Sequence, residues 1–83
     1  MPAVYILQSQ STHQFYVGST TELPRRLSEH ARGHSLATRG RGPWDLVYKE
    51  DFENLADARR RELEIKRWKS SKKIAALIAR KVG

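Results

Sequence analysis

The 83-residue chain contains no cysteine, which excludes a disulfide framework and a thiolate metal site and is compatible with a reducing compartment. No apolar run approaches the ~20 residues that a membrane span requires. The N-terminus lacks the basic segment and long apolar run of a signal peptide. We therefore expect one small domain over residues 1–83, cytoplasmic and with no membrane partner.

Acidic residues are scarce: nine Asp and Glu stand against sixteen Lys and Arg, which gives a net charge of +7. The basic residues concentrate in residues 59–73, which carry eight cations and two acids, whereas residues 45–57 carry five acids and one lysine. A solvated helix face is one explanation for such a run. A positive field of this size also attracts polyanions, so nucleic acid is the leading partner class, bound in a steeply salt-dependent way.

Two strand-like apolar runs, Val4–Leu7 and Phe15–Gly18, flank the six polar residues 9–14, a pattern that predicts a hairpin with an extended loop. Tyr5 and Tyr16 lie one in each run. A register that pairs Tyr5 with Tyr16 or with Gly18 places both phenols on one face of the sheet. At the strand exit, Gly18 would allow a ligand or another backbone to approach closely.

A first helix is predicted to begin after Thr20 or Thr21, either of which can cap it, and to end near Arg32. Its expected apolar stripe consists of Leu23, Leu27 and Ala31. Arg26 and His30 lie beside this stripe, one turn apart, and are expected to point at the same space as the tyrosines. The alternatives are an arginine paired with a nearby acid and a half-buried histidine bonded to the backbone.

Residues 33–43 have the composition of a basic loop without acids, and Arg39 and Arg41 within it are candidates for clamping a nucleic-acid strand. A third strand is predicted from Trp44 to Phe52. Its alternation places three side chains on one face, namely Trp44, Leu46 and Tyr48. Trp44 could stack on a base, although packing in the core or at its edge is favoured.

Asn54 is predicted to cap a second helix, whose inward stripe consists of Leu55, Ala58, Ile65 and Trp68. Glu62 falls inside this stripe, whereas Glu64 points outward. A buried carboxylate is unfavourable unless it meets a cation, a metal ion or good hydrogen-bond donors. Glu62 is therefore a candidate functional acid, and a buried salt bridge to Arg26 or Arg61 is the alternative.

A short last helix begins near residues 70–71, so the element order is β-β-α-β-α-α and the fold class is α+β. Several residues are candidates for nucleic-acid contacts because they are basic or allow close approach. They are Gly18, Arg25, Arg39, Arg41, Lys66, Lys69, Lys72 and Lys73.

An ordered set of residues at defined spacings resembles the GIY-YIG nuclease domain, in particular its small stand-alone bacterial members. The set is Tyr5, Tyr16, Gly18, Arg26, His30 and Glu62. Ala3 and Val4 stand where the family name has glycine and isoleucine. Glu62 follows Ala58 by four residues, as the metal-binding glutamate of the family follows an alanine. The resemblance implies a small three-stranded antiparallel sheet flanked by helices.

The resemblance also implies an endonuclease that hydrolyses phosphodiester bonds by a one-metal mechanism, with water as the nucleophile. Glu62 would hold Mg²⁺ or Mn²⁺, Arg26 would bind the phosphate, and His30 would relay a proton or bind phosphate. A tyrosine would activate the water: Tyr16 is slightly favoured as the base, with Tyr5 holding the water. Neighbouring cations are expected to lower the phenol pKa.

So small a domain leaves little material for reading sequence in a groove, so we expect low sequence specificity, with single-stranded or branched DNA as the substrate. DNA is favoured over RNA. Two alternatives remain open. One is a basic nucleic-acid-binding module with weak or no catalysis, and the other is a catalytic module that requires a partner protein for targeting.

Overall fold

The computed structural model describes residues 1–82 and has the predicted order β-β-α-β-α-α. The elements are β1 (Ala3–Ser9), β2 (Phe15–Thr20), α1 (Leu23–Ala31), β3 (Trp44–Asp51), α2 (Leu55–Arg67) and α3 (Ser71–Val82). None of the helices in the described residues is both long and apolar enough to cross a membrane.

The three strands form one antiparallel sheet in the order β2-β1-β3, so β1 is the central strand. Six of its seven residues are buried, because neighbouring strands cover both edges and helices or loops cover both faces. Burial on both faces explains why β1 reads as a nearly continuous apolar run rather than as an alternating one. The predicted antiparallel α+β fold is confirmed.

The hydrophobic core lies on one face of the sheet, where α2 and α3 pack. Val4, Ile6 and Val17 of the sheet form a buried cluster with Ala58 and Ile65 of α2, and Ile74 of α3 completes it. Since side chains alternate along β1, Tyr5 and Leu7 point to the opposite face. That second face is the one covered by α1 and the following loop.

A β-bulge in β3 changes the predicted alternation of its side chains. Leu7 pairs with Leu46 while the preceding residue of β1, Ile6, pairs with Tyr48, so Val47 is an extra residue. Tyr48 therefore faces the core, whereas Trp44 and Leu46 face the other side. The prediction that these three side chains share a face is wrong because a two-residue period cannot include an inserted residue.

The start and the stripe of α1 also differ from the prediction. Its N-cap is Glu22, without a capping side-chain bond, because β2 extends through Thr20. Thr20 instead accepts a hydrogen bond from the Glu22 backbone N–H at 3.1 Å. In the last turn Ala31 is exposed and His30 is buried, so the apolar stripe ends in an imidazole.

The predicted cap of α2 is confirmed: Asn54 Oδ1 accepts a hydrogen bond from the Asp57 backbone N–H at 2.9 Å. Asn54→Ala should lower the free energy of unfolding by about 1 kcal/mol, because an orphan N–H then loses its acceptor. Asn54→Ser, which keeps an acceptor oxygen, should retain most of the stability. Urea denaturation of the three proteins measures both effects, and equal stability of the alanine variant and the parent would contradict this assignment.

Candidate active site

The buried hydroxyl of Tyr5 joins α1 to the central strand. It lies 2.8 Å from Nε2 of His30, and it accepts a hydrogen bond from Nε of Arg26 at 3.3 Å. Tyr5 is 1% exposed and His30 is 5% exposed. The one-turn spacing of Arg26 and His30 thus brings both side chains to a single phenolic oxygen.

Tyr16 completes the group on the same face, because it pairs with Leu7 while Gly18 pairs with Tyr5. Its ring centroid lies 6.2 Å from that of Tyr5 and 5.1 Å from that of His30. The expectation that both phenols share a face is confirmed. Tyr5, Tyr16, Arg26 and His30 are hereafter the tyrosine cluster.

Gly18 makes room for Tyr5. A Cβ atom at Gly18 would lie 2.6 Å from the Tyr5 hydroxyl and 2.7 Å from its ring carbon Cζ, closer than van der Waals contact allows. The close approach inferred from the sequence is therefore made by the phenol of the neighbouring strand. In this structure Gly18 serves a side chain of the protein itself rather than a ligand.

The other nitrogen of the His30 imidazole is held by the loop between α1 and β3. Nδ1 lies 2.7 Å from Oγ1 of Thr38, which is 2% exposed. The carbonyl of Thr38 accepts a hydrogen bond from Nε1 of Trp44 at 2.9 Å. Burial, aided by the charge of Arg26, lowers the pKa of His30, so the imidazole is neutral at neutral pH.

Three side chains hold Arg26 in place. It donates to Glu29 Oε1 at 3.0 Å and to Ser35 Oγ at 3.4 Å, in addition to Tyr5. The interactions with Glu29 first and then with Tyr5 raise the pKa of Arg26 beyond its already high ordinary value. The same ion pair lowers the pKa of the Glu29 carboxyl group. Arg26 thus pairs with a nearby acid and still reaches the tyrosines.

Burial raises the pKa of Tyr5 to about 12, even though the hydrogen bond from Arg26 acts in the opposite direction. The expectation that neighbouring cations lower the phenol pKa is therefore wrong for Tyr5. Burial disfavours the charged phenolate of Tyr5 by more than the nearby guanidinium of Arg26 stabilises it. Tyr5 remains protonated at neutral pH and can act as a hydrogen-bond donor to His30 Nε2.

Glu62 lies on the inward side of α2, with a side chain that is 21% exposed, whereas Glu64 is 58% exposed. Ser19 Oγ donates a hydrogen bond to Glu62 Oε1, and the ammonium group of Lys66 binds Oε2. The alternative of a salt bridge to Arg26 or Arg61 is wrong.

Arg61 does not pair with Glu62 because its side chain binds two other carboxylates. Its guanidinium pairs with Glu50, with Nε 3.5 Å from Oε2, and with Glu64. Lys66, one turn after Glu62, is the nearer cation because i and i+4 residues are neighbours on a helix surface.

Glu62 and the tyrosine cluster approach the edge strand β2 from opposite faces. Ser19, the partner of Glu62, pairs with Val4 and so points to the core face, whereas Tyr5 lies across Gly18 on the other face. The charge of Glu62 makes the smallest of the contributions that raise the pKa of Tyr5, as expected for a group on the other face. The structure thus brings four predicted site residues into contact and places the fifth across the strand.

The donor set of Glu62 fits a magnesium ion only in part. No group of three or more His, Asp or Glu side chains within the described part of the chain is arranged to hold a metal ion. Mg²⁺ in phosphoryl-transfer sites commonly takes one or two carboxylates and completes its shell with water and substrate phosphate oxygens. Glu62 can supply that single carboxylate once Lys66, whose side chain is 48% exposed, releases Oε2.

The predicted nucleic-acid contacts, Gly18 apart, are all exposed cations, but they do not form one surface. Arg25, Arg39 and Arg41 belong to α1 and the following loop, on the side of the tyrosine cluster. The lysines belong to α2, α3 and the turn between them, and they are Lys66, Lys69, Lys72 and Lys73. Two of these cations are engaged, because Lys66 binds Glu62 and Arg41 donates to the carbonyl of Ala37 at 2.8 Å.

Four residues that support the site were not predicted from the sequence: Ser19, Glu29, Ser35 and Thr38. Glu29 could have been found, because it follows Arg26 by three residues on a helix. Ser35 and Thr38 lie in an irregular loop, where no periodicity marks the buried positions. The strand register alone shows that the side chain of Ser19 points toward Glu62.

Comparison with known proteins gives a consistent result. The model of the GIY-YIG catalytic domain matches residues 1–75. A UPF0213 protein of Clostridium perfringens is 37% identical over 99% of this chain and 88% of its own length. A UPF0213 protein of Natronomonas pharaonis is 41% identical over 96% of this chain and 93% of its own length.

A solved structure is similar as well. The solution NMR structure of a UPF0213 protein from Bacillus halodurans has 39% sequence identity and a TM-score of 0.64. The match covers 100% of this chain and 88% of that chain. The fold described above is therefore shared with that relative.

The contact between Gly18 and Tyr5 predicts strong energetic coupling. Gly18→Ala should lower the free energy of unfolding by roughly 1–3 kcal/mol, because the new methyl group displaces the buried phenol. In a Tyr5→Leu background the same substitution should cost much less, because the clashing atoms are gone. Urea denaturation of the four proteins of this double-mutant cycle measures the coupling, and additive effects would contradict the contact.

The buried neutral His30 predicts a loss of stability in mild acid. Below pH ~6.5 the unfolded chain binds a proton at this position that the folded protein resists, so stability present above that pH declines as pH falls, by at most about 1.4 kcal/mol per unit. Urea midpoints measured between pH 7.5 and 5.5 should show this slope. His30→Gln should flatten it, and His34→Gln, at an exposed position, should not. Flattening by the His34 variant alone would refute the assignment.

Proposed function

The chain belongs to the GIY-YIG catalytic domain family, and on this basis we propose that it is a metal-dependent endonuclease that hydrolyses phosphodiester bonds in DNA. The observation that carries the proposal is the convergence of Arg26 and His30 on the Tyr5 hydroxyl, beside the ring of Tyr16. A partly exposed cation, a neutral imidazole and two phenols are the groups that phosphodiester hydrolysis uses to bind a phosphate and to move a proton.

Arg26 is assigned to the scissile phosphate. Its guanidinium remains charged at any pH that the protein meets, and Glu29 and Ser35 fix its orientation before substrate arrives. A preorganised cation stabilises charge that develops on the non-bridging oxygens without reorganising during the reaction. The side chain is 31% exposed, so part of it stays accessible to a ligand.

Tyr16 is assigned as the general base that takes a proton from the attacking water. Tyr5, with a pKa of about 12, is held protonated by burial and is unsuited to that role. It acts instead as a positioning residue: its hydroxyl accepts from Arg26 and donates to the neutral His30. Thr38 orients His30 from the other side of the ring. Tyr16 is the more exposed of the two phenols, as contact with water requires.

Glu62 is assigned as the carboxylate that would hold Mg²⁺ or Mn²⁺. When bound, such an ion supplies Lewis acidity and stabilises the leaving oxygen. Ser19 orients Glu62 Oε1 by its hydrogen bond, and Lys66 neutralises the carboxylate until substrate arrives. Once displaced from Oε2, the ammonium group of Lys66 is free to bind a phosphate oxygen.

Single-stranded or branched DNA, cut with low sequence specificity, is the proposed substrate. The net charge of +7 favours binding to the phosphate backbone, and backbone contacts carry no sequence information. A second candidate is a catalytic module activated only when a partner protein delivers substrate. It is favoured by one observation: both oxygens of Glu62 are occupied by side chains of the protein itself.

The test is cleavage of end-labelled single-stranded, duplex and branched DNA with Mg²⁺ or Mn²⁺, beside an EDTA control. Glu62→Ala should lower the cleavage rate by about a hundredfold or more, because the loss of a metal ligand removes several kcal/mol of transition-state stabilisation. Glu64→Ala, a matched change two residues away at an exposed position, should leave the rate unchanged. Tight DNA binding without cutting, by the parent protein in either metal, would refute the proposal and favour the second candidate.

A further inference from the structure

A groove runs between α2 and α3 on the opposite side of the sheet from the tyrosine cluster. Its volume is about 480 Å³, within the range of roughly 300–1,000 Å³ that is typical of small-ligand sites. Arg61 of α2, its C-cap residue Trp68 and four side chains of α3 line it. The four are Lys73, Ala76, Leu77 and Arg80. None of the roles proposed above involves this groove.

The α3 wall of the groove has a cation at each end and an apolar centre. Lys73, Leu77 and Arg80 are spaced by four and three residues and so share one face of the helix. Arg80 follows Lys73 by seven positions, which corresponds to ~10 Å along the helix axis at 1.5 Å per residue. Within residues 1–80, no carboxylate lies within ion-pair distance of either cation, so both charges are available to an anion.

The α2 wall presents an aromatic surface. Trp68 lines the groove, and the guanidinium carbon of Arg61 lies 5.7 Å from the centroid of its ring. The charge of Arg61 is already balanced by Glu50 and Glu64, so its role here is to hold the indole in place. An oriented indole next to uncompensated cations is the arrangement that proteins use to stack an unpaired base while binding its phosphates.

We infer that this groove binds a nucleotide unit of single-stranded nucleic acid, with the base against Trp68 and Leu77 and the flanking phosphates at Lys73 and Arg80. The inference rests on the proposed function only in identifying the bound polyanion as nucleic acid. A base must be unpaired to reach an indole in a groove, so duplex nucleic acid is a poor ligand. α2 carries Glu62 and ends at its C-cap Trp68, so one helix connects the groove to the proposed metal carboxylate.

Trp68 itself reports binding. The chain has two tryptophans, so Trp44→Phe leaves Trp68 as the only one. Titration of this variant with an oligothymidylate should quench its fluorescence, because the indole stacks on a base. Adding Lys73→Gln and Arg80→Gln should weaken the quenching affinity about tenfold, and should reduce the slope of log K against log salt by about 1.4, for two lost phosphate contacts on a single strand.

A matched control separates the groove from net charge. Arg59→Gln with Arg67→Gln removes the same two charges from exposed positions of α2 outside the groove, and it should leave quenching affinity close to that of the Trp44→Phe parent. Equal weakening by both pairs of substitutions, or no change in Trp68 fluorescence with the parent, would overturn the inference. Inorganic polyphosphate that matches the oligonucleotide in affinity and signal would overturn it too, by showing a plain anion site.

Cleavage is measured separately on the parent protein and on the same charge variants with Trp44 retained, because Nε1 of Trp44 bonds the Thr38 carbonyl beside the proposed site. This arrangement keeps the two proposals distinguishable. Absent quenching in a protein that cuts DNA refutes the groove and leaves the nuclease proposal intact. Quenching that depends on Lys73 and Arg80 in a protein that never cuts supports the groove and counts against the nuclease.

Discussion

The hydroxyl of Tyr5 is the atom on which the candidate site depends, since it joins the central strand to both polar residues of α1. It lies 2.8 Å from His30 Nε2 and 3.3 Å from Arg26 Nε in an environment that excludes water. Hydrogen bonds are strengthened by such low polarity, but each partner must then be satisfied elsewhere. Gly18 leaves space for the phenol, Thr38 satisfies the second nitrogen of His30, and Glu29 balances Arg26.

The position of β2 at the edge of the sheet gives this arrangement its proposed use. A central strand would separate its two faces by a continuous sheet, but an edge strand can be reached from both sides. The tyrosine cluster lies on one face of β2 and Glu62 lies on the other, bound to Ser19. A phosphate at this edge is therefore the simplest ligand that could contact both groups.

Much of this site followed from the sequence because its residues lie in regular elements. The strand period placed Tyr5 and Tyr16 on one face, the helix period aligned Arg26 with His30, and the misplaced charge in a helical stripe singled out Glu62. The predictions that were wrong or missing concern residues outside any regular period. The bulge at Val47 exchanges the faces to which the side chains on its two sides point, relative to a regular strand. Thr38 belongs to an irregular loop. The raised pKa of Tyr5 depended on burial, which only the packed structure gives.

We propose that Glu62 and the tyrosine cluster act on one phosphate at the edge of β2. The most direct measurement is a nitrogen-15 NMR spectrum of the protein with an uncleavable phosphorothioate oligonucleotide, recorded before and after addition of paramagnetic Mn²⁺. Line broadening should centre on the backbone amides of Gly18, Ser19 and Glu62. Broadening centred on the acid-rich residues 45–57, or the same pattern in Glu62→Ala, would contradict it.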